Sequence, residues 1–74
     1  MEEKLQQVFA QALGIEPAEA VDTLRYAEHP AWDSVAHMAL VAAIEGAFGI
    51  MIDSDEVIAM DSFAAARRIV ARHL

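Results

Sequence analysis

Three groupings of side chains in this 74-residue chain have the residue types that chemistry requires. Asp33, Ser34 and His37 bring an acid, a hydroxyl and an imidazole close together in sequence. A hydrolytic triad needs a base that reaches the hydroxyl and is itself oriented by a third group. Neighbouring positions at one helix start do not give that arrangement, and the strained Gly-x-Ser-x-Gly turn that presents a nucleophilic serine is absent. Asp53-Ser54-Asp55-Glu56 resembles the opening of a calcium loop, but Val57 and Ile58 stand where a further ligand and the turn glycine belong. His29, His37 and His73 have no metal-ligand spacing. By helical angle His37 lies near the core-facing side, which suits a hydrogen-bonded structural imidazole. No convergent acid, base or metal set remains, so the residues do not describe an enzyme.

Ser34 suits a different chemistry. It opens a helix, where a hydroxyl is exposed and a phosphate ester attached to it meets unpaired backbone N–H groups and the positive end of the helix dipole. The simpler role for Asp33-Ser34 is that of a helix cap, since both are favoured capping residues. Residue preferences alone favour the cap.

The elements around Ser34 follow from periodicity. Leu5, Val8, Phe9, Ala12 and Leu13 form an amphipathic stripe, with Glu2 and Glu3 near the positive dipole end and Gly14 as the stop. Residues 15–33 have no sustained period and contain Pro17 and Pro30. They predict a long connection with a short helical turn around Ala18 to Asp22, packed across the bundle through Ile15, Val21, Leu24, Tyr26 and Trp32. By residue type Trp32 is a local packing residue.

Asp33 or Ser34 caps the next helix, which runs through Phe48 to Gly49. Its core face is Leu40, Val41, Ile44, Ala47 and Phe48. The opposite face carries Val35, Met38, Ala39, Ala42 and Gly46, although a solvated face should be polar. In a chain this small, such a helix presents its second apolar face to a partner. Asp53 and Glu56 have capping-box spacing and open a short helix ending near Met60. Asp61-Ser62 caps the last helix, with Phe63, Ala66, Ile69, Val70 and Leu74 inward and its arginines at the negative dipole end.

Composition sets the limits. Residues 1–74 make one small domain, and the 57% apolar content includes sixteen alanines, which favours helix over sheet. The net charge of −7 argues against duplex nucleic acid as a partner and suggests a basic one. All the acids lie before residue 62, whereas Arg67, Arg68 and Arg72 make the tail basic. Without cysteine there is no disulfide framework. No run lacking a polar side chain is longer than Met38 to Ile44, far below the roughly 20 residues that span a bilayer. The start, Met1-Glu2-Glu3-Lys4, lacks a signal-peptide layout, so a cytoplasmic protein without membrane association is expected.

Asp33-Ser34-Val35, Leu40-Val41-Ala42-Ala43-Ile44-Glu45, Phe48-Gly49-Ile50, the acidic Asp53-Ser54-Asp55-Glu56 and Ser62-Phe63 together resemble the acyl carrier protein family in order and spacing over nearly the whole chain. The resemblance implies an all-α bundle of three principal helices plus one short helix, with a long first loop. It implies 4′-phosphopantetheine, derived from coenzyme A, on Ser34, with Asp33 part of the motif that a magnesium-using phosphopantetheinyl transferase recognises. The cofactor's thiol then holds an acyl or aminoacyl thioester, while the protein supplies presentation and recognition and is not itself a catalyst. The implied partners are that transferase, a loading ligase or acyltransferase, and a downstream synthase or transferase. The carrier is expected to be monomeric.

The helix from Ser34 is the family's docking helix, and Val35, Met38 and Ala42 fall on its exposed apolar side. Two positions depart from the family pattern. Trp32 replaces a common glycine, as in a subset of stand-alone carriers, and Ala36, Ala39 and Gly46 stand where acids are usual, leaving Glu45. Docking is therefore expected to lean on Trp32, Val35, Met38 and Ala42, helped by Asp33, Asp53, Asp55 and Glu56. Leu40, Ile44, Phe48, Val57 and Ile69 are candidates to line a cavity for the cargo. The alternative from another class is an unmodified helical interaction module that uses the Val35, Met38 and Ala42 face.

Overall fold

Leu5, Val8, Phe9 and Leu13 are the buried positions of the first helix, α1 (Glu2–Leu13), in a computed structural model that describes residues 1–74. Gly14 ends it at φ 69°, a left-handed conformation that glycine adopts without steric cost, and its N–H donates to the Ala10 carbonyl at 2.9 Å. The helix α2 spans Ser34–Phe48 and closes in the same way at Gly49, φ 65°. Two shorter helices follow, α3 (Ser54–Ala59) and α4 (Phe63–His73). The expected helical bundle with one short member is what forms.

Aromatic and branched side chains from every long element meet in one core. The Phe9 ring stands edge-on to Trp32 at 5.3 Å and to Phe63 at 5.0 Å, which joins α1, the long loop and α4 at one point. Leu40 and Ile44 of α2 and Ile69 and Val70 of α4 are fully buried around it. The candidate cavity lining dissolves into this packing. Leu40, Ile44 and Ile69 are core, Phe48 is half-buried under Lys4, and of the five only Val57 borders a cleft.

The long connection is fastened rather than loose. A 3-10 turn at Pro17–Glu19 replaces the slightly later turn expected, and Ala20, Leu24 and Trp32 are buried. Val21 is exposed, contrary to expectation, because Ala20 takes the inward position after the turn. Further along, the Phe63 N–H donates to the Leu24 carbonyl at 3.0 Å and the Tyr26 N–H to the Asp61 carbonyl at 2.9 Å. This antiparallel bridge, paired at Arg25 and Ser62, ties the loop to the α3–α4 junction. Leu74 is also exposed rather than inward, since it follows the last helical residue and nothing packs over it.

Ion pairs bind the loop to the ends of the bundle. Arg67 donates to Asp22 at 2.6 Å and to Glu2 at 2.9 Å. The guanidinium holds the Asp22 carboxyl below its usual range, and the hydrogen bond to Asp22 in turn raises Arg67.

Candidate functional site

Two residues that share one sequence role divide it in the structure. Asp33 is the cap of α2. Its Oδ1 accepts the Ala36 N–H at 2.8 Å, and its carbonyl accepts the first i→i−4 bond, from the His37 N–H, at 2.8 Å. Ser34 is therefore relieved of the capping task. It occupies the first helical position, is exposed, and lies with the N–H groups of Ser34 and Val35 that precede that first bond. A hydroxyl there is available for modification, and the dipole end favours an anion on it.

Asp33, Ser34 and His37 do not make a triad. The Trp32 Nε1–H donates to His37 Nδ1 at 2.9 Å, and His37 Nε2 lies 2.9 Å from the Val57 carbonyl oxygen. An indole N–H can only donate and a carbonyl can only accept, so the imidazole is the neutral Nε2–H form with both nitrogens engaged. It has no lone pair left to take a proton from Ser34. The structural role expected for His37 is the one it has, although its partners were not foreseen.

Trp32 offers no surface for contact. It is 0% exposed, wedged against Phe9, Tyr26 and His37, because a large ring beside a capping residue is most stable when its body is buried and its N–H is paired. The expectation of surface contact at Trp32 is corrected. Val35 and Met38, 79% and 62% exposed, do stand in solvent, as does Ala42. Ile58 of α3 is equally exposed at 79% and went unnoticed in the sequence, where a six-residue helix is too short to show which face is outward.

The acids divide in the same manner. Asp53, Asp55 and Asp33 are exposed. Asp53 caps α3 by accepting the Glu56 N–H at 2.9 Å, and Glu56 returns the bond to the Asp53 N–H at 3.2 Å, completing the expected capping box. Glu56 also meets His73 Nε2 at 2.9 Å, and these bonds hold its carboxyl below the usual range, with the His73 contact foremost. Its side chain is partly exposed and already engaged by these bonds within the fold. Glu45, the one acid of α2, accepts the Ile52 N–H at 2.9 Å and fastens the α2–α3 loop. The outer face of α2 is thus apolar without a counterbalancing acid. No group of three or more His, Cys, Asp or Glu side chains is placed to hold a metal ion.

A cleft of about 250 Å³ opens one helical turn from Ser34, lined by Tyr26, His37, Val57, Ile58, Met60 and Asp61. It lies between the start of α2 and the α3 segment, with the buried Met60 at its floor.

Among known families, the chain matches a family model described as a phosphopantetheine attachment site, over residues 3–70. No curated protein matches the chain.

Proposed function

The chain belongs to the phosphopantetheine attachment-site family, carriers of the acyl carrier protein type to which 4′-phosphopantetheine is covalently attached, and on that premise we propose that Ser34 is the residue that carries it. The observation behind this reading is that Asp33 caps α2 and leaves the Ser34 hydroxyl exposed at the helix start. The surroundings fit the group, because a phosphodiester on Ser34 gains from the unpaired N–H groups and the dipole end beside it.

Attachment is a phosphoryl transfer in which the Ser34 Oγ bonds to the phosphorus that bears pantetheine in coenzyme A. The pyrophosphate P–O bond breaks and adenosine 3′,5′-bisphosphate leaves. The hydroxyl proton passes to a base on the transferase, since both nitrogens of the neighbouring His37 are already engaged. When bound, the group supplies a terminal thiol that holds an acyl or aminoacyl cargo as a thioester. The chain's own part is to hold Ser34 outward, stabilise the phosphate and offer a docking face.

That face is Val35, Met38 and Ala42 on α2, extended by Ile58 and flanked by Asp33, Asp53 and Asp55. A loading ligase or acyltransferase and a downstream synthase or transferase dock there through apolar contact, while the overall negative charge steers basic partners toward the domain. Incubation with a fluorescent coenzyme A analogue and a broad-specificity phosphopantetheinyl transferase tests the reading. The full chain should become labelled, and Ser34→Ala should not.

A further inference from the structure

We propose that His37 is a positioning residue of the attachment site: by joining the Trp32 indole to the Val57 carbonyl it fixes α3 beside the first turn of α2, and so sets the surface that the modifying enzyme meets around Ser34. The inference rests on the assignment of Ser34 as the attachment point.

The helix α3 has only six residues and buries none of its side chains fully, with Val57 packed partly against the core, so length and packing hold it weakly. Polar tethers add to them. Val57 lies in its last turn, where carbonyls lack an intrahelical donor. The N–H that would serve it, from Asp61, donates to the Ala59 carbonyl at 2.9 Å. His37 Nε2–H fills that vacancy at 2.9 Å. The imidazole is thus a side-chain cap for the end of α3, supplied from a different helix.

The other tethers act elsewhere. Glu45 holds the Ile52 N–H before α3 begins, and His73 holds Glu56 from the far end of α4. Only His37 stands one turn from Ser34, at i+3 on the same helix, where side chains are neighbours. Its other nitrogen is held by Trp32, two residues before Ser34, and its ring lies within 5.9 Å of the indole and 5.3 Å of Tyr26, centroid to centroid. The residues before Ser34, the turn after it and α3 with its exposed Ile58 therefore meet at one imidazole.

Two near-isosteric substitutions separate the two bonds. In His37→Asn the new amide oxygen can occupy the place of Nδ1, so the Trp32 bond is kept and the one to Val57 is lost. In His37→Gln the new amide nitrogen can occupy the place of Nε2, and the reverse holds. Steady-state modification of the full chain with coenzyme A and a phosphopantetheinyl transferase, together with amide hydrogen exchange, tests the proposal. His37→Asn should raise KM for the carrier about three- to tenfold with kcat unchanged, the size expected for one lost hydrogen bond. It should also speed exchange across Ser54–Ala59 but not in α1 or α4. His37→Gln should return KM to within about twofold of the wild type, a smaller loss than that one hydrogen bond.

A wild-type KM in His37→Asn overturns the proposal, as does an equal KM rise in both variants that follows thermal stability. Failure of the underlying assignment looks different: the wild type would stay unmodified, or Ser34→Ala would be modified. In that event the exchange measurement still decides whether His37 fixes α3.

Discussion

The indole N–H of Trp32 donates to His37 Nδ1 at 2.9 Å across rings only 28° from parallel, so a residue outside α2 is locked to the start of α2, with Ser34 between the two in the chain. The bond explains why the tryptophan can be wholly buried, since its one polar atom is paired. Trp32→Phe keeps most of the aromatic packing but leaves His37 Nδ1 without its donor. Urea unfolding followed by circular dichroism should show a loss of about 1–3 kcal/mol. A change below about 0.5 kcal/mol, the size of an ordinary surface substitution, would contradict a structural role for this bond.

Asp33 caps α2, and the proposed second task, as part of the motif read by the transferase, separates from the first by substitution. Asn caps as well as Asp, so Asp33→Asn should leave stability nearly unchanged, whereas Asp33→Ala should cost about 1 kcal/mol. Both should slow modification of Ser34 if the carboxylate charge is recognised. Modification of Asp33→Asn at the wild-type rate would reduce Asp33 to a cap.

Acid should loosen the fold through carboxylates that sit below their usual range. Asp22 is depressed chiefly by the hydrogen bond from Arg67, and Glu56 chiefly by that with His73. A carboxylate that holds its proton less tightly in the folded state contributes fully above its unfolded pKa. That contribution is lost as pH falls through the lower folded value. Stability should therefore decline on acidification below about pH 4, and Arg67→Gln should flatten the part due to Asp22. Both pairs are at least partly exposed and the decline is correspondingly modest. Urea melts between neutral pH and about pH 3 would contradict the assignment if wild type and Arg67→Gln showed the same slope.

The apolar face of α2 is tested by Met38→Glu. Met38 is exposed, so folding stability should change by less than about 0.5 kcal/mol. Sedimentation of the unmodified protein should give a monomer for both forms, while transfer to a docked partner enzyme weakens in the variant. Tight self-association of the wild type that disappears in Met38→Glu would instead favour an unmodified interaction module.

Much of this arrangement is legible in the residues themselves. Gly14 and Gly49 follow apolar stripes and end helices, and Asp33, Asp53 and Ser62 begin them, because capping is decided within a few residues along the chain. The motif around Ser34 is equally local. What stays hidden depends on where the long loop carries Trp32. His37 could be placed near the core, but its two partners lie across a loop and on another helix. The bonds from Glu45 to Ile52 and from His73 to Glu56 likewise join surface-type residues whose meeting has no periodic signature. Such pairings bury Trp32 and engage Glu56 within the fold, while Ile58 stands exposed.

Intact-protein mass spectrometry after incubation with coenzyme A and a phosphopantetheinyl transferase, with fragmentation to locate the added group, tests the central assignment most directly. The wild type should gain one phosphopantetheine, found on Ser34, and Ser34→Ala should gain none. A wild-type chain that gains no mass, or a Ser34→Ala chain that still does, would contradict it.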